Sequence, residues 1–301
     1  MGRYPAPVDD AHTEHAVAAL TTADLPALRL DDRVRLTEPA LAALLNSYPD
    51  RSVWIPETGE YAVVAPWRHR PELAVIEALV AFRHESALLE ALVTRTRAAG
   101  AAALILLDSA ETRHPAFYTR YGFESLEQIQ TYELQSLRRL PPQDGQQRLR
   151  FFRVVADDTA LLSRLLALDH KAFPWLWQNS KEEFRAYLAM PEVTVWAGME
   201  EDQLRSYVGL THFPGWGHLD RIAVAPAVQH AGYGRESLAF AIQHVTAMGA
   251  RRMALSTQGD NIRSQRLYEG MGFRRTIAHD YTVRGIVFDR ARFEPSIKGS
   301  G

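Results

Sequence analysis

The sequence predicts an α/β chain of mixed sheets and helices, with one organisation written twice. Three observations predict it. Residues 219–257 read as strand, glycine loop, helix and strand in succession. An apolar strand followed by a Tyr-x-x-x-Gly-Phe turn recurs 150 residues apart, ending in Tyr118, Gly122 and Phe123 and again in Tyr268, Gly272 and Phe273. Between the two, residues 137–147 hold paired prolines, a glycine and a polar run, which is linker composition. The domains expected are therefore 1–140 and 148–295.

Composition bounds the function classes. At 301 residues the chain is long enough for two cores, and 47% hydrophobic with 23% charged residues is globular composition. No run approaches the roughly 18 apolar residues of a membrane span, and the first fifteen residues lack a signal-peptide core, so a cytoplasmic protein with no membrane partner is expected. The net charge of −2 gives no reason to expect nucleic acid. There is no cysteine, which excludes disulfides, thiol catalysis and thiolate metal sites. No His, Asp and Glu cluster shows ligand spacing, so no metal is expected. Residues 296–301 are polar and glycine-rich and read as a disordered tail.

In chain order, residues 1–25 carry Pro5, Pro7 and scattered acids and read as a loose arm. Residues 36–45 have helical periodicity. Residues 53–55 and 61–65 read as strands around Pro56-Glu57-Thr58-Gly59, and 73–82 as a buried strand. Residues 87–99 form a helix with Leu88, Leu89, Leu92 and Val93 inward and Gly100 closing it. Residues 102–107 and 126–134 are strands. Residues 80–85 hold the place of a glycine loop but contain no glycine, and Glu111 and His114 stand where Asn261 and Ser264 stand in the second half. A carboxylate there, without a loop that brings backbone N–H groups close, argues against a bound pyrophosphate.

The second half opens with a strand at 149–155. Asp157 or Asp158 caps a helix to about 168, and the pattern breaks over 169–179. Ser180 to Glu183 is a capping box for a helix to 190. Antiparallel strands follow at 193–199 and 204–211. The strand at 219–225 places Ile222 and Val224 on one face, and Pro226 ends its pairing. Gln229, His230, Ala231, Gly232, Tyr233 and Gly234 then lead into a helix on which Leu238, Ala241, Ile242, Val245 and Met248 recur, closed by Gly249. A glycine loop at a helix N-terminus binds anions, because the backbone can approach and the first N–H groups are free.

Two motifs in this stretch resemble those of the GNAT N-acetyltransferase superfamily. One is Val224, Pro226 and Gln229-x-x-Gly232-x-Gly234. The other is Asn261-x-x-Ser264-x-x-Leu267-Tyr268-x-x-x-Gly272-Phe273, with Ser264 where alanine is commoner. The resemblance covers about 150–288 and the first half only faintly. It implies two tandem GNAT-type domains, each a mixed sheet with helices on both faces, and the pairing with a degenerate first copy is similar to mycothiol-synthase-like members. It further implies an acetyl-CoA-dependent transfer to an amine of a small molecule or peptide. Ile222, Ala223 and Val224 then bind the pantetheine arm and offer N–H groups to the oxyanion. Gln229, His230, Ala231, Gly232, Tyr233, Gly234 and Arg235 hold the pyrophosphate, Asn261 and Ser264 lie along the pantetheine, and Tyr268 stands beside the sulfur.

The chemistry needs a base, because an alkylammonium has a pKa near 10 and must lose its proton. His218 and Asp220 are two residues apart on a strand and share a face, which makes them the candidates. The bland alternative is that Asp220 pairs with an arginine and His218 sits in a turn. His230 and His244 read as solvent-facing. The Phe173-Pro-Trp175-Leu-Trp177 segment, similar to one in ribosomal-protein N-terminal acetyltransferases, reads either as a plug or as an acceptor wall. Two readings of another class stay open: a non-catalytic acetyl-CoA sensor or interaction module, and transfer of a different acyl group.

Overall fold

A computed structural model describes residues 16–28, 36–108, 115–137 and 147–293. Of the expected loose arm over 1–25, residues 1–15 lie outside the described residues, as do Glu111, His114, most of the linker and the tail. Residues 16–25 are instead tied down, with a strand at Ala18–Ala19, a 3₁₀ turn from Thr22, and Leu20 and Leu25 buried. No helix among the described residues is long and apolar enough to cross a membrane.

The strands are β1 (Ala18–Ala19), β2 (Val53–Ile55), β3 (Glu60–Pro66), β4 (Leu73–Val80), β5 (Ala103–Leu107), β6 (Glu124–Leu134), β7 (Arg150–Arg153), β8 (Val193–Glu200), β9 (Gln203–Phe213), β10 (Trp216–Val224), β11 (Arg252–Gln258), β12 (Arg274–Arg275) and β13 (Tyr281–Val287). The helices are α1 (Glu38–Ser47), α2 (Glu85–Ala98), α3 (Pro115–Arg120), α4 (Thr159–Ala172), α5 (Lys181–Ala189), α6 (Tyr233–Ala247), α7 (Ile262–Gly270) and α8 (Arg290–Phe293). The caps read from sequence form: Asp158 accepts from Leu161 N–H at 2.9 Å and Ser180 from Glu183 N–H at 2.9 Å. The expected capping box is only half made, because the Glu183 carboxylate meets His69 at 2.7 Å. Gly249 sits at φ 90, a left-handed position that glycine takes without strain. Two details differ. α4 runs one turn past the expected end, to Ala172, and Met248 is the exposed C-cap of α6 rather than part of its buried face.

The chain forms two compact units, bounded differently from the expected 1–140 and 148–295. One comprises the described residues up to Ala65 with Ile76–Ala99; the other comprises Pro66–Val75 and the described residues from Gly100 onward. The first unit packs Leu20, Leu25, Leu41, Leu45, Trp54, Tyr61, Val63 and Val80 into one core.

The second unit carries the site. From β5 its strand order is β5-β13-β6-β11-β10-β9-β8-β7, with β12 also on β6. β6 pairs antiparallel with β11 over Met253↔Leu134 to Gln258↔Ile129, and with β13 on its other side. β13 in turn pairs with β5, Val283↔Leu107 to Val287↔Ala103. This sheet is why the unit extends back across residue 140: β6 fills the place between β11 and β13. Two apolar clusters pack it. One, around α6 and α7, holds Leu219, Leu238, Ile242, Met253, Leu255, Tyr268 and Phe273; the other, around α4 and α5, holds Leu165, Phe184, Val195, Tyr207 and Ala223.

Candidate active site

The site begins where two parallel strands part. β10 and β11 pair only from Trp216↔Arg252 to Leu219↔Leu255. Beyond that point, among the described residues, β11 bonds β6 alone and β10 bonds β9 alone, so the edge of β10 facing β11 has no ladder partner there through Ile222, Ala223 and Val224. A bulge in β10 between Leu219 and Arg221 adds a residue at Asp220. It also shifts the side-chain alternation by one place. Leu219 and Ile222 both pack toward the α6 cluster, whereas Ala223 lies in the α4 cluster and Arg221 reaches Asp169 of α4.

A cavity of about 290 Å³ lies at this opening. β10 lines it with His218 to Ile222, β11 with Ser256 to Gln258, and α7 and its cap with Asn261, Ser264 and Tyr268. Ile129 of β6, Tyr281 of β13, Phe173, Trp177 and Arg68 complete the wall. The two candidate bases meet there despite the bulge: His218 Nδ1 lies 2.6 Å from Asp220 Oδ1. Asp220 Oδ2 accepts from Thr211 at 2.7 Å and from the Tyr187 hydroxyl. A carboxylate can only accept, so it fixes the proton of His218 on Nδ1 and leaves Nε2 as the basic nitrogen. Asp220 thus has partners, but they are His218, Thr211 and Tyr187 and not an arginine.

Tyr268 is 4% exposed, and burial pushes its hydroxyl up to about 12, with the Ser264 hydroxyl bonded to it. It stays protonated across physiological pH. Asn261 accepts from Ser264 N–H at 3.2 Å and so caps α7 through Oδ1.

The glycine loop has the geometry of an anion cradle. Gly232 is the N-cap of α6 at φ 90, and His230 is left-handed at φ 67. The first helical bond is Glu236 N–H to Gly232 O at 3.1 Å, which leaves the N–H groups of Tyr233, Gly234 and Arg235 without helical acceptors. A Cβ on Gly232 would stand 3.3 Å from Arg148 Nη2. Gln229 is used to fasten the loop: its amide donates to Val224 O at 3.3 Å and accepts from Arg263 at 2.5 Å, while its N–H meets Pro226 O. Ala231 O accepts from Arg148, whose guanidinium lies 4.1 Å over the Tyr233 ring. Tyr233 donates to Glu200 at 2.6 Å.

Several residues escaped sequence reasoning. Arg148 and Arg263 bring positive charge to the loop. Asp169, fully buried, joins Arg221 at 2.5 Å and the Tyr207 hydroxyl at 2.5 Å, and accepts from Asn179 N–H at 2.8 Å. Arg221 also donates to Trp177 O at 2.9 Å and stacks 3.8 Å over Phe173. This buried network holds the Phe173–Trp177 segment, whose Phe173 and Trp177 face the cavity while Leu176 is buried. An isolated Asp-Arg pair in sequence carries no such signal. His244 is a correction: it packs against Trp196, Phe240 and His212 at 4.9–5.9 Å, and burial lowers its pKa. Among the described residues no group of three His, Cys, Asp or Glu could hold a metal ion.

Comparison with known proteins matches residues 162–273 to the Acetyltransferase (GNAT) family profile. A curated relative, the Uncharacterized N-acetyltransferase YvbK of Bacillus subtilis (strain 168), is 33% identical over 122 residues, 40% of this chain and 76% of that protein. A solved GCN5-related N-acetyltransferase from Sphaerobacter thermophilus has a TM-score of 0.56 at 15% identity, covering 91% of this chain and 95% of its own. Another, from Kribbella flavida, has a TM-score of 0.63 at 14% identity, covering 92% and 72%. At these identities the structural likeness is one of fold, and it is the mixed α/β fold expected.

Proposed function

The chain belongs to the GNAT acetyltransferase family and is an acyltransferase, and from that premise we propose that it moves an acetyl group from acetyl-CoA to a primary amine of a small molecule or peptide, by direct attack in a ternary complex. The observation that carries the reading is the convergence of His218, oriented by Asp220, and of protonated Tyr268 on one cavity at the parting of β10 and β11.

Acetyl-CoA supplies an activated thioester. The residues present fit it: along the open edge of β10 the N–H groups of Ile222 and Val224 are the donors for an extended arm and a developing oxyanion, the Ala223 N–H being turned to β9. The N–H groups of Tyr233, Gly234 and Arg235, behind left-handed Gly232, answer a pyrophosphate, with Arg148 and Arg263 beside the loop. His218 Nε2 takes the ammonium proton. Asp220 is the positioning residue that holds the tautomer. Tyr268 Oη is the proton donor.

We read the first half as a degenerate copy that binds no acetyl-CoA. In support, the turns Tyr118–Phe123 and Tyr268–Phe273 close with the same bond, Phe N–H to Tyr O, at 3.2 and 3.0 Å, with Gly122 and Gly272 at φ 85 and 92. On that reading the halves have exchanged their last strands, since β5 pairs β13 and β11 pairs β6.

The test is to follow free thiol from acetyl-CoA across a panel of amines. Release only with certain amines is expected, and His218→Ala should lower turnover by roughly 10²-fold or more while Asp220→Ala lowers it by roughly 10-fold or more. Calorimetry without acetyl-CoA binding, or thiol release indifferent to every amine, overturns the reading.

A further inference from the structure

Arg68 reaches the cavity from outside the family-matched stretch, and its backbone is held in an unfavourable shape to do so. Arg68 sits at φ 53, ψ 42 and His69 at φ 51, two consecutive non-glycine residues in the left-handed region. Such strain persists where the surroundings over-determine it, and it clusters at functional sites. Here neighbouring side chains clamp the segment to the Phe173–Trp177 wall. Trp67 Nε1 donates to Leu176 O at 2.7 Å, and Arg70 donates to Trp175 O and stacks 4.5 Å over the Trp175 ring. His69 takes Glu183 at 2.7 Å, leaving Arg68 at the 4.0 Å limit of an ion pair with that carboxylate.

The guanidinium itself is half answered. Nη1 donates to Asn179 Oδ1 at 2.8 Å, and the group lies about 5 Å from the Trp67 and Trp177 rings. Nε is buried with no hydrogen-bond partner, and no bond from Nη2 is formed among the described residues. Nε and Nη2 form the side of the guanidinium that takes a carboxylate through two parallel bonds. The other charges lining the cavity are matched: Arg221 by Asp169, and Asp220 by His218, Thr211 and Tyr187. Burial, and then the charge of Arg221, lowers the Arg68 pKa to about 10, against the weaker opposing charges of Glu183 and Asp169. A cavity of about 290 Å³ is at the small end for ligand sites, which suits a compact acceptor.

We infer that Arg68 is the specificity residue of the acceptor pocket and receives a carboxylate, so that the accepted amine belongs to the class of small amino acids and carboxylated amines. This rests on the acetyl-transfer reading above. The alternative role for Arg68 is a structural wedge between Trp67 and Trp177.

The full chain distinguishes them. Saturated with CoA, it is titrated by calorimetry with matched pairs of compact amines, for example β-alanine and γ-aminobutyrate against their carboxamides; the same pairs are then assayed as acceptors by thiol release. Carboxylates are expected to bind and turn over at least about 10-fold better than their amides, through KM, and Arg68→Gln to collapse that ratio towards one. Arg68→Lys, which keeps the charge but not the fork, should restore part of the ratio and serves if the glutamine variant does not fold. Equal binding of acid and amide by the wild type, or an Arg68→Gln loss equal for both, overturns the inference. Failure of the acetyl-transfer reading looks different: acetyl-CoA itself does not bind, or no amine in a wider panel releases thiol. The binding titration decides the carboxylate question whether or not turnover is seen.

Discussion

The helices α2 and α6 begin alike and use their first turns differently. At α2 the N-cap is His84, and the buried carboxylate of Glu60 accepts from His84 N–H at 3.1 Å and stands 3.0 Å from its ring Nδ1. At α6 the N-cap is left-handed Gly232, and among the described residues no carboxylate accepts from the N–H groups of Tyr233, Gly234 and Arg235. A helix N-terminus favours negative charge wherever it occurs. Whether it becomes a ligand site depends on whether the fold supplies its own anion. The two tyrosine turns teach the same lesson. Tyr118 and Tyr268 are both buried and both close onto a phenylalanine. Tyr118 packs edge-on against Phe117 and Phe123, whereas Tyr268 lines a cavity beside Ser264. The turn is a packing device in both places, and at Tyr268 it also borders a cavity.

The largest effect should come from breaking the cradle. Gly234→Val is expected to weaken acetyl-CoA binding by roughly 10²-fold or more in a folded protein, because branched carbons enter the space of the ligand. A Cβ at 234 meets only Leu267 at 3.4 Å and Val224 at 3.7 Å, so the fold should tolerate it. Glu60→Gln should leave that affinity within about 2-fold and instead cost about 1–3 kcal/mol of stability. Calorimetry on both variants checks this, and a stoichiometry of two acetyl-CoA per chain would end the comparison.

Next in size is the pair Tyr268→Phe and Tyr118→Phe. The first should lower turnover by roughly 10²-fold with cofactor affinity little changed, the second by less than about 2-fold. Equal effects would make both tyrosines structural.

The smallest effect sharpens the comparison, because it couples the halves. Glu127 of β6 accepts from Trp177 Nε1 at 2.5 Å, and burial raises its carboxyl to about 7. Between about pH 4.5 and 7 the folded chain then holds a proton that the unfolded chain has released. The stability this gives is present in full below about pH 4.5 and is lost as pH rises through 7. Urea unfolding at pH 5 and pH 8 should show the wild type losing about 1–2 kcal/mol more than Glu127→Gln across that interval. Parallel losses would place Glu127 in contact with water.

Most single elements were legible in the sequence because each follows from neighbours within one turn or one strand. α6 follows from the spacing of Leu238, Ala241, Ile242 and Val245, and α4 and α5 from their caps. The pairing of His218 with Asp220 was legible as well, but not for the reason of simple alternation, since the strand bulges at Asp220. What stayed hidden depends on long-range closure. Nothing local to residues 124–134 says that this strand lies beside β11, and nothing around Trp67 to Arg70 points to the Trp175–Trp177 wall. Asn261 illustrates a third case: one side chain can cap a helix and line a cavity, and sequence shows only the residue type.

The pairing of Ala103 with Val287 has a consequence for how the protein is made. During synthesis at about 5–20 residues per second, β5 leaves the ribosome roughly 180 residues, and so about 10–40 seconds, before its partner strand exists. For that interval a row of backbone donors and acceptors on an apolar strand waits without its mate, which is the condition under which nascent chains pair with the wrong neighbour. Slowing translation over the second half should therefore lower the soluble yield, and holdase chaperones present during synthesis should restore it.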